Sequence, residues 1–329
     1  MADALALVDS GESRGGKRSM AQQCTVRRAA EIHGVGLHSG AESTVRVLPA
    51  PAGHGLVFLR TDLNDAVIPA THEFIRDSTL ATTLARGEAS VSTVEHLLAA
   101  LRGLGIDNAL LEVDGPEVPI LDGSALPFVV ALRAAGTAEQ KALRGARTLR
   151  RPITVRDGDR AILALPARDF RISYAIDFPH PAIGYQAVTL SVDEKVFATS
   201  IAPARTFCMM RDVQAMRASG LARGGSLDNA VVVGDDGVLN GTLRYRDEFV
   251  RHKVLDLIGD LALVGAPLRA HVVVFKGGHH MHATLLRRIL AGRTLSPADG
   301  LPETRAPQWY ERFAHLGEAL VSRPEVLTA

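Results

Sequence analysis

Between residues 247 and 264 apolar side chains recur at three- and four-residue intervals, at Val250, Val254, Leu257 and Leu261. That spacing predicts a helix with one face on a core. On another face of the same helix His252, Asp256 and Asp260 stand at i, i+4 and i+8, stacked along one stripe. Elsewhere two periods alternate. Residues 44–48, 55–59, 108–113, 171–177, 187–190 and 271–275 read as strands. Residues 153–155 and 161–165 read as a hairpin across Asp157-Gly158-Asp159. Residues 92–103, 126–135, 191–199, 211–219 and 281–290 read as helices, the first capped by Ser92 or Thr93. The Ala-, Lys- and Arg-rich stretch 136–151 has no clear period and reads as a linker. Two halves of similar grammar result, with a site expected between them.

Bulk properties narrow the class. A chain of 329 residues, 47% hydrophobic and 22% charged, has room for about two globular domains, each with a real core. A formal net charge of +1 gives no global reason to expect nucleic acid as a partner. Cys24 and Cys208 form neither a disulfide framework nor a paired C-x-x-C motif, which fits a reducing, cytoplasmic setting. No run approaches the ~18 apolar residues of a membrane span, so stable membrane insertion is not expected. Residues 1–22 carry acids inside their apolar part and a basic patch after it. That order is wrong for a signal peptide, and the segment reads as a disordered lead-in. The tail after Arg293 is Pro-rich and loosely patterned.

The stripe on the 247–264 helix suggests metal chemistry. Histidine and carboxylate at i, i+4 can both reach one zinc ion at ~2.0–2.2 Å. Alternatively, Arg251 and Lys253 pair with the acids on an exposed helix. A catalytic zinc site needs a third protein ligand. His96 follows Glu95 inside the 92–103 helix, ~100° away around the axis, so both can border one cavity as ligand and general base. A solvated helix face is the plain alternative. The run Lys276-Gly277-Gly278-His279-His280-Met281-His282 follows a strand, where glycines let backbone approach a ligand. One of its histidines can act as a general acid, or the cluster is a nonspecific metal-binding surface. GVGLHSG at 34–40 reads as a tight loop between strands. In Ala204-Arg205-Thr206-Phe207 the Thr hydroxyl suits an oxyanion, or a cap. Gly224-Gly225-Ser226 lacks a Walker pattern and reads as a turn.

Taken together, these segments resemble the zinc-dependent UDP-3-O-acyl-N-acetylglucosamine deacetylase family of lipid A synthesis. The strings are GVGLHSG at 34–40, STVEHLLAALRGLGIDN at 92–108, LDGSALPF at 121–128, ARTF at 204–207, DEFVRHKVLDLIGDL at 247–261 and GH at 278–279, in the family's order from about residue 24 to 290. The resemblance implies an α+β fold, a two-domain layered sheet/helix sandwich with the active site between the domains and a small insert in each. The domains would be residues 23–140 and 150–293, joined by a linker at 141–149. The second insert, about 208–240, would line an acyl-chain passage with Met209, Met210, Val213, Met216, Leu221 and Leu227.

Carried over by position, His96, His252 and Asp256 would hold one zinc per chain, with iron(II) able to fill the same ligands. Glu95 would be the general base and His279 the cationic general acid, held by Asp260. Thr206 would assist the oxyanion, Phe207 would stack near the sugar, and Lys253 would face the diphosphate. The implied substrate is UDP-3-O-acyl-N-acetylglucosamine, deacetylated in the cytoplasm by a monomer. His280 and His282 are left as surface or loop residues, and the role of His38 stays open. Rival readings are a zinc amidohydrolase for another N-acylated substrate and an inactive nucleotide-sugar-binding protein, the latter disfavoured by the intact residue set. Departures from the family pattern are Gly277 for Ser, His282 for Asn and Cys208 for Gly. Leu163 and Ala164 stand where relatives often place an acidic and an aromatic residue, so the uridine contacts stay unassigned.

Overall fold

The computed structural model describes residues 22–291 and the two-residue strand Leu295–Ser296. The expectations for residues 1–21 and for the rest of the tail lie outside the described residues. Strands and helices mix as expected of an α+β chain.

In the first half, β1 (Gln22–Val26) is followed by β2 (Ala30–Val35), β3 (Glu42–Pro49), β4 (Leu56–Arg60) and β5 (Ala66–Pro69). A small sheet follows, of β6 (Ile75–Asp77), β7 (Thr83–Arg86) and β8 (Ala89–Val91), and then helix α1 (Glu95–Gly103), β9 (Ala109–Val113) and α2 (Leu126–Ala135). The main sheet runs β2-β3-β9-β4-β5 and is antiparallel except where β4 meets β9. Alternation decides which face is inward: in β3, Ser43, Val45 and Val47 are buried while Glu42 and Arg46 are exposed. Helix α1 starts at Glu95, three residues later than its pattern predicts, and neither Ser92 nor Thr93 caps it. Thr93 sits in the left-handed region at φ 55°, and its hydroxyl donates instead to the buried Glu117 carboxylate at 2.6 Å.

The stretch read as a linker carries strands β10 (Thr137–Leu143) and β11 (Arg147–Leu149), and β10 pairs with β1. Its half-buried positions are Ala138, Gln140 and Ala142, small or polar residues that hide the two-residue period.

The second half continues with β12 (Ile153–Asp157), β13 (Arg160–Pro166), β14 (Phe170–Phe178) and β15 (Gly184–Ser191). The 191–199 expectation resolves into helical turns at Glu194–Val196 and Phe197–Ile201. Strands β16 (Phe207–Met209), β17 (Val231–Gly234) and β18 (Gly237–Val238) with helix α3 (Met210–Ala218) build a small side layer. Helix α4 (Glu248–Ala262), β19 (Leu268–Phe275) and α5 (His279–Leu290) complete the set. Strand β19 lies inside the larger sheet, antiparallel to β13 and parallel to β14 and β11.

Helices α1 and α4 pack against each other, and α4 also lies on β14 and β15. Both are buried almost all round, so neither is a surface helix with one wet face. Their close approach depends on Gly259, where an added Cβ would lie 2.1 Å from the carbonyl oxygen of Glu95. No helix among the described residues is long and apolar enough to cross a membrane, and Cys24 and Cys208 are both free.

Candidate active site

The first turn of α1 delivers Glu95 and His96, and the facing side of α4 delivers His252, Asp256 and Asp260; all five are buried. His252 Nδ1 lies 3.1 Å from the Ala204 carbonyl oxygen, to which it can only donate, so Nε2 carries the free lone pair. Burial pushes His252 down to about 3 despite the neighbouring Asp256, and the imidazole is neutral. Nε2 faces Asp256 Oδ1 at 3.2 Å, and His96 Nε2 faces the same oxygen at 3.6 Å. Asp256 Oδ1 has no hydrogen-bond partner among the described residues, a costly state for a buried carboxylate oxygen.

His252 Nε2 and Asp256 Oδ1 are thus acceptors pointed at each other. Ligand atoms of His96, His252 and Asp256 all lie within 4.8 Å of one another. Two ligands of a tetrahedral zinc, each ~2.0–2.1 Å from the ion, stand roughly 3.3 Å apart, close to the separations found. The donor set and its unpartnered oxygen therefore fit a divalent cation. The outer oxygen, Asp256 Oδ2, accepts from Lys253 Nζ at 2.9 Å, and that ammonium sits 5.6 Å from the centre of the Phe207 ring. Arg251 pairs instead with Asp247 at 2.6 Å.

A second group lies beside the first. Asp260 Oδ2 accepts from His279 Nδ1 at 2.8 Å and from His282 Nδ1 at 2.7 Å, while Oδ1 accepts from the Thr82 hydroxyl at 2.5 Å. Burial opposes charge on His279, but Asp260, together with Asp256 and Glu95, more than offsets it and raises the imidazole to about 9. The same pairing overcomes the burial of Asp260 and holds it at about 2. His279 Nε2 therefore points a proton into the site, 4.0 Å from Glu95 Oε1. Burial raises the Glu95 carboxyl above its ordinary value despite nearby His279, and Oε2 accepts from the Thr82 amide at 3.0 Å.

Helix α5 starts at His279, two residues before its predicted start, because the histidine run hides the helical period. His280 is exposed, but His282 is fully buried, which corrects its assignment to surface or loop. Its Nε2 meets the Tyr174 hydroxyl at 3.3 Å. A Cβ on Gly277 would come within 2.4 Å of Val274 Cγ1, 2.9 Å of that hydroxyl and 3.4 Å of His282 Nε2.

Thr206 and Phe207 reach the site because Arg205 is locked to the start of α4. Buried Glu248 accepts from the Arg205 amide at 3.0 Å and from its Nε at 2.8 Å. The 34–40 loop is a tight connection between β2 and β3, as expected, and it also borders the site. Buried Glu117 accepts from the amides of His38 and Ser39, while Arg223 and Gly224 donate to the His38 and Leu37 carbonyls. A cavity of about 200 Å³ holds Glu95, His96, Thr206, His252, Asp256 and His279. Beside it lies an apolar cavity of about 320 Å³, and Leu37, His38, Leu80, Thr206 and Phe207 border both. Met210, Val213, Met216 and Leu227 line the apolar one, whereas Met209 and Leu221 do not.

Sequence reasoning missed Thr82, Glu117, Tyr174 and Gly259. Of these only Gly259 carried a local signal, a glycine inside an otherwise strong helical pattern. The other three act through partners far away in the chain.

A family model described as UDP-3-O-acyl N-acetylglycosamine deacetylase matches residues 23–291. A protein of Myxococcus xanthus (strain DK1622) named UDP-3-O-acyl-N-acetylglucosamine deacetylase is 50% identical over 271 residues, covering 82% of this chain and 86% of its own. Proteins of the same name from Anaeromyxobacter sp. (strain Fw109-5) and Geobacter sp. (strain M21) are each 47% identical over 270 residues, 82% of this chain and 88% of theirs.

Proposed function

Because the chain belongs to the UDP-3-O-acyl-N-acetylglucosamine deacetylase family, we propose that it hydrolyses the N-acetyl group of UDP-3-O-(3-hydroxyacyl)-N-acetylglucosamine. The products are acetate and the free amine, and the step commits the sugar to lipid A. One observation carries the reading: Glu95 and His96 of α1 meet His252, Asp256 and His279 in one buried cleft.

In this reading His96, His252 and Asp256 hold one zinc ion, or iron(II) in its place. Bound there, the ion supplies a Lewis acid for the amide carbonyl and lowers the pKa of water. Glu95, whose burial favours proton uptake, takes a proton from the attacking water. The Thr206 hydroxyl donates to the oxyanion, a contribution typically worth ~10²–10³ in rate. His279 holds its Nδ1 proton on Asp260 and gives its Nε2 proton to the leaving amine. Phe207 packs against the sugar, and Lys253 exchanges part of its hold on Asp256 for the diphosphate. The 3-O-acyl chain occupies the apolar cavity of Met210, Val213, Met216 and Leu227. We further read residues 23–140 and 150–293 as two domains with the cleft between them, in a cytoplasmic monomer that needs no nucleic acid.

The test is release of labelled acetate from the acylated UDP-sugar, with and without chelator. Chelation should abolish release and zinc should restore it. Release that survives complete metal removal would sink the proposal.

A further inference from the structure

The loop at 34–40 stands between the two cavities. Its Leu37 and His38 border both the cavity that holds Glu95 and His96 and the apolar one lined by Met210, Val213 and Met216. Such a wall is only as fixed as the backbone that carries it, and loops are ordinarily more mobile than the elements they join.

This loop is held by a buried carboxylate. Glu117 is 1% exposed; its Oε1 accepts from the His38 amide at 3.0 Å, and its Oε2 accepts from the Ser39 amide at 2.7 Å. Burying a carboxylate is costly unless donors meet it, and here the loop's own amides do so. Glu117 is itself anchored. Backbone hydrogen bonds join Ser92 to Pro116 and Val118, each at 3.0 Å, and the Ser43 hydroxyl donates to the Glu117 carbonyl at 2.6 Å. The fit is close, since a Cβ on Gly36 would stand 2.5 Å from Oε2. From the other side Arg223 and Gly224 donate to the His38 and Leu37 carbonyls, so the loop is gripped twice. The Thr93 hydroxyl also donates to Glu117, two residues before Glu95.

We propose that Glu117 is a positioning residue that sets acyl selectivity, gathering the His38 and Ser39 amides so that Leu37 and His38 wall the apolar cavity. This rests on the reading that the 3-O-acyl chain occupies that cavity.

The experiment measures release of the labelled N-acetyl group from two UDP-sugars, one carrying a 3-O-(3-hydroxydodecanoyl) chain and one a 3-O-acetyl group. The readout is the ratio of their kcat/KM values. A loss of folded or metal-loaded protein, or a shift of Glu95 through Thr93, lowers both values alike and cancels in the ratio. Glu117→Leu, which removes the carboxylate, should lower the ratio about tenfold, the worth of roughly two buried methylene groups. Glu117→Gln should hold it within a few-fold, because the amide oxygen accepts from the loop while the NH2 donates to the Thr93 hydroxyl. Met216→Trp, which fills the apolar cavity, should lower the ratio with Glu117 intact. An unchanged ratio in Met216→Trp overturns the reading of the cavity, and the proposal with it. A lowered ratio there beside an unchanged one in Glu117→Leu overturns the proposal alone, as does an equal loss in Glu117→Gln. If Glu117→Leu does not fold, Gly36→Ala takes its place. Its methyl drives the loop off the carboxylate and should lower the ratio by a similar factor, and an unchanged ratio overturns the proposal.

Discussion

Gly259→Ala offers a sharp test of how the two helices build the site. The new Cβ would lie 2.1 Å from the Glu95 carbonyl oxygen and 2.7 Å from its carbon, and backbone cannot swing aside as a side chain does. Reaching the 3.4 Å of ordinary contact requires the helices to part by about 1.3 Å. For stability two effects oppose. Alanine gains about 1 kcal/mol of helix propensity over glycine, while overpacking costs about 1–3 kcal/mol. The protein should therefore fold, at a net loss of about 2 kcal/mol or less. Activity has no such compensation. Glu95 and His96 ride on one helix, His252 and Asp256 on the other, and a ~1 Å misplacement can cost about 10²-fold in rate. The expected result is kcat/KM down about 10²-fold with weakened metal retention, read by acetate release and metal stoichiometry. Gly103→Ala is the control: its Cβ would meet the ring of Phe197 at 2.2 Å, at the far end of α1. It should lose stability by about 1–3 kcal/mol while kcat/KM stays within a few-fold. A Gly259→Ala enzyme with wild-type kcat/KM and a full metal complement would refute the reasoning.

The remaining predictions concern the proton-handling groups. With Glu95 as base and His279 as acid, kcat/KM should be bell-shaped in pH. The acid limb lies above the ordinary carboxyl value because burial raises Glu95. The alkaline limb lies at or below about 9, since a bound cation lowers His279 from its metal-free value. His279→Gln should erase the alkaline limb in the residual activity, and an unchanged limb would assign it to another group. In chelated protein His279 is raised from 6.5 to about 9, so its contribution to stability is complete below pH 6.5 and is lost as pH rises through about 9. Urea midpoints across that window should fall for wild type and flatten for His279→Gln. His282→Asn keeps a donor for Asp260 and should hold kcat within a few-fold, whereas His282→Leu removes it and should lower kcat about tenfold with KM unchanged. Equal loss in both variants would mean that donation to Asp260 is not what His282 contributes.

What could be read from the chain follows the range of the interactions involved. His252 and Asp256 were legible as a pair because four residues on one helix make them neighbours whatever the rest of the fold does. Asp260 shares that stripe, and periodicity alone would give it to the same ion. Its real partners, Thr82 and His279, lie 178 and 19 positions away, and only tertiary packing brings them to its two oxygens. Glu95-His96 was ambiguous with a solvated face, and what removes the ambiguity is the α4 backbone pressed against α1 at Gly259. Strand β10 was hidden because alanine and glutamine fill its inward positions.

His282 shows the limit best. It sits in a histidine-rich run with no apolar period, and one of its partners is Tyr174, 108 positions earlier. In sequence, Gly277 and His282 look like two unrelated departures from the family pattern. Physically they answer to different neighbours. A serine Cβ at 277 would meet Val274 Cγ1 at 2.4 Å and the Tyr174 hydroxyl at 2.9 Å, whereas His282 Nε2, at 3.4 Å, lies at ordinary contact distance. Val274 and Tyr174 therefore require the glycine, while the imidazole supplies Asp260 with a second donor that the histidine count alone could not reveal.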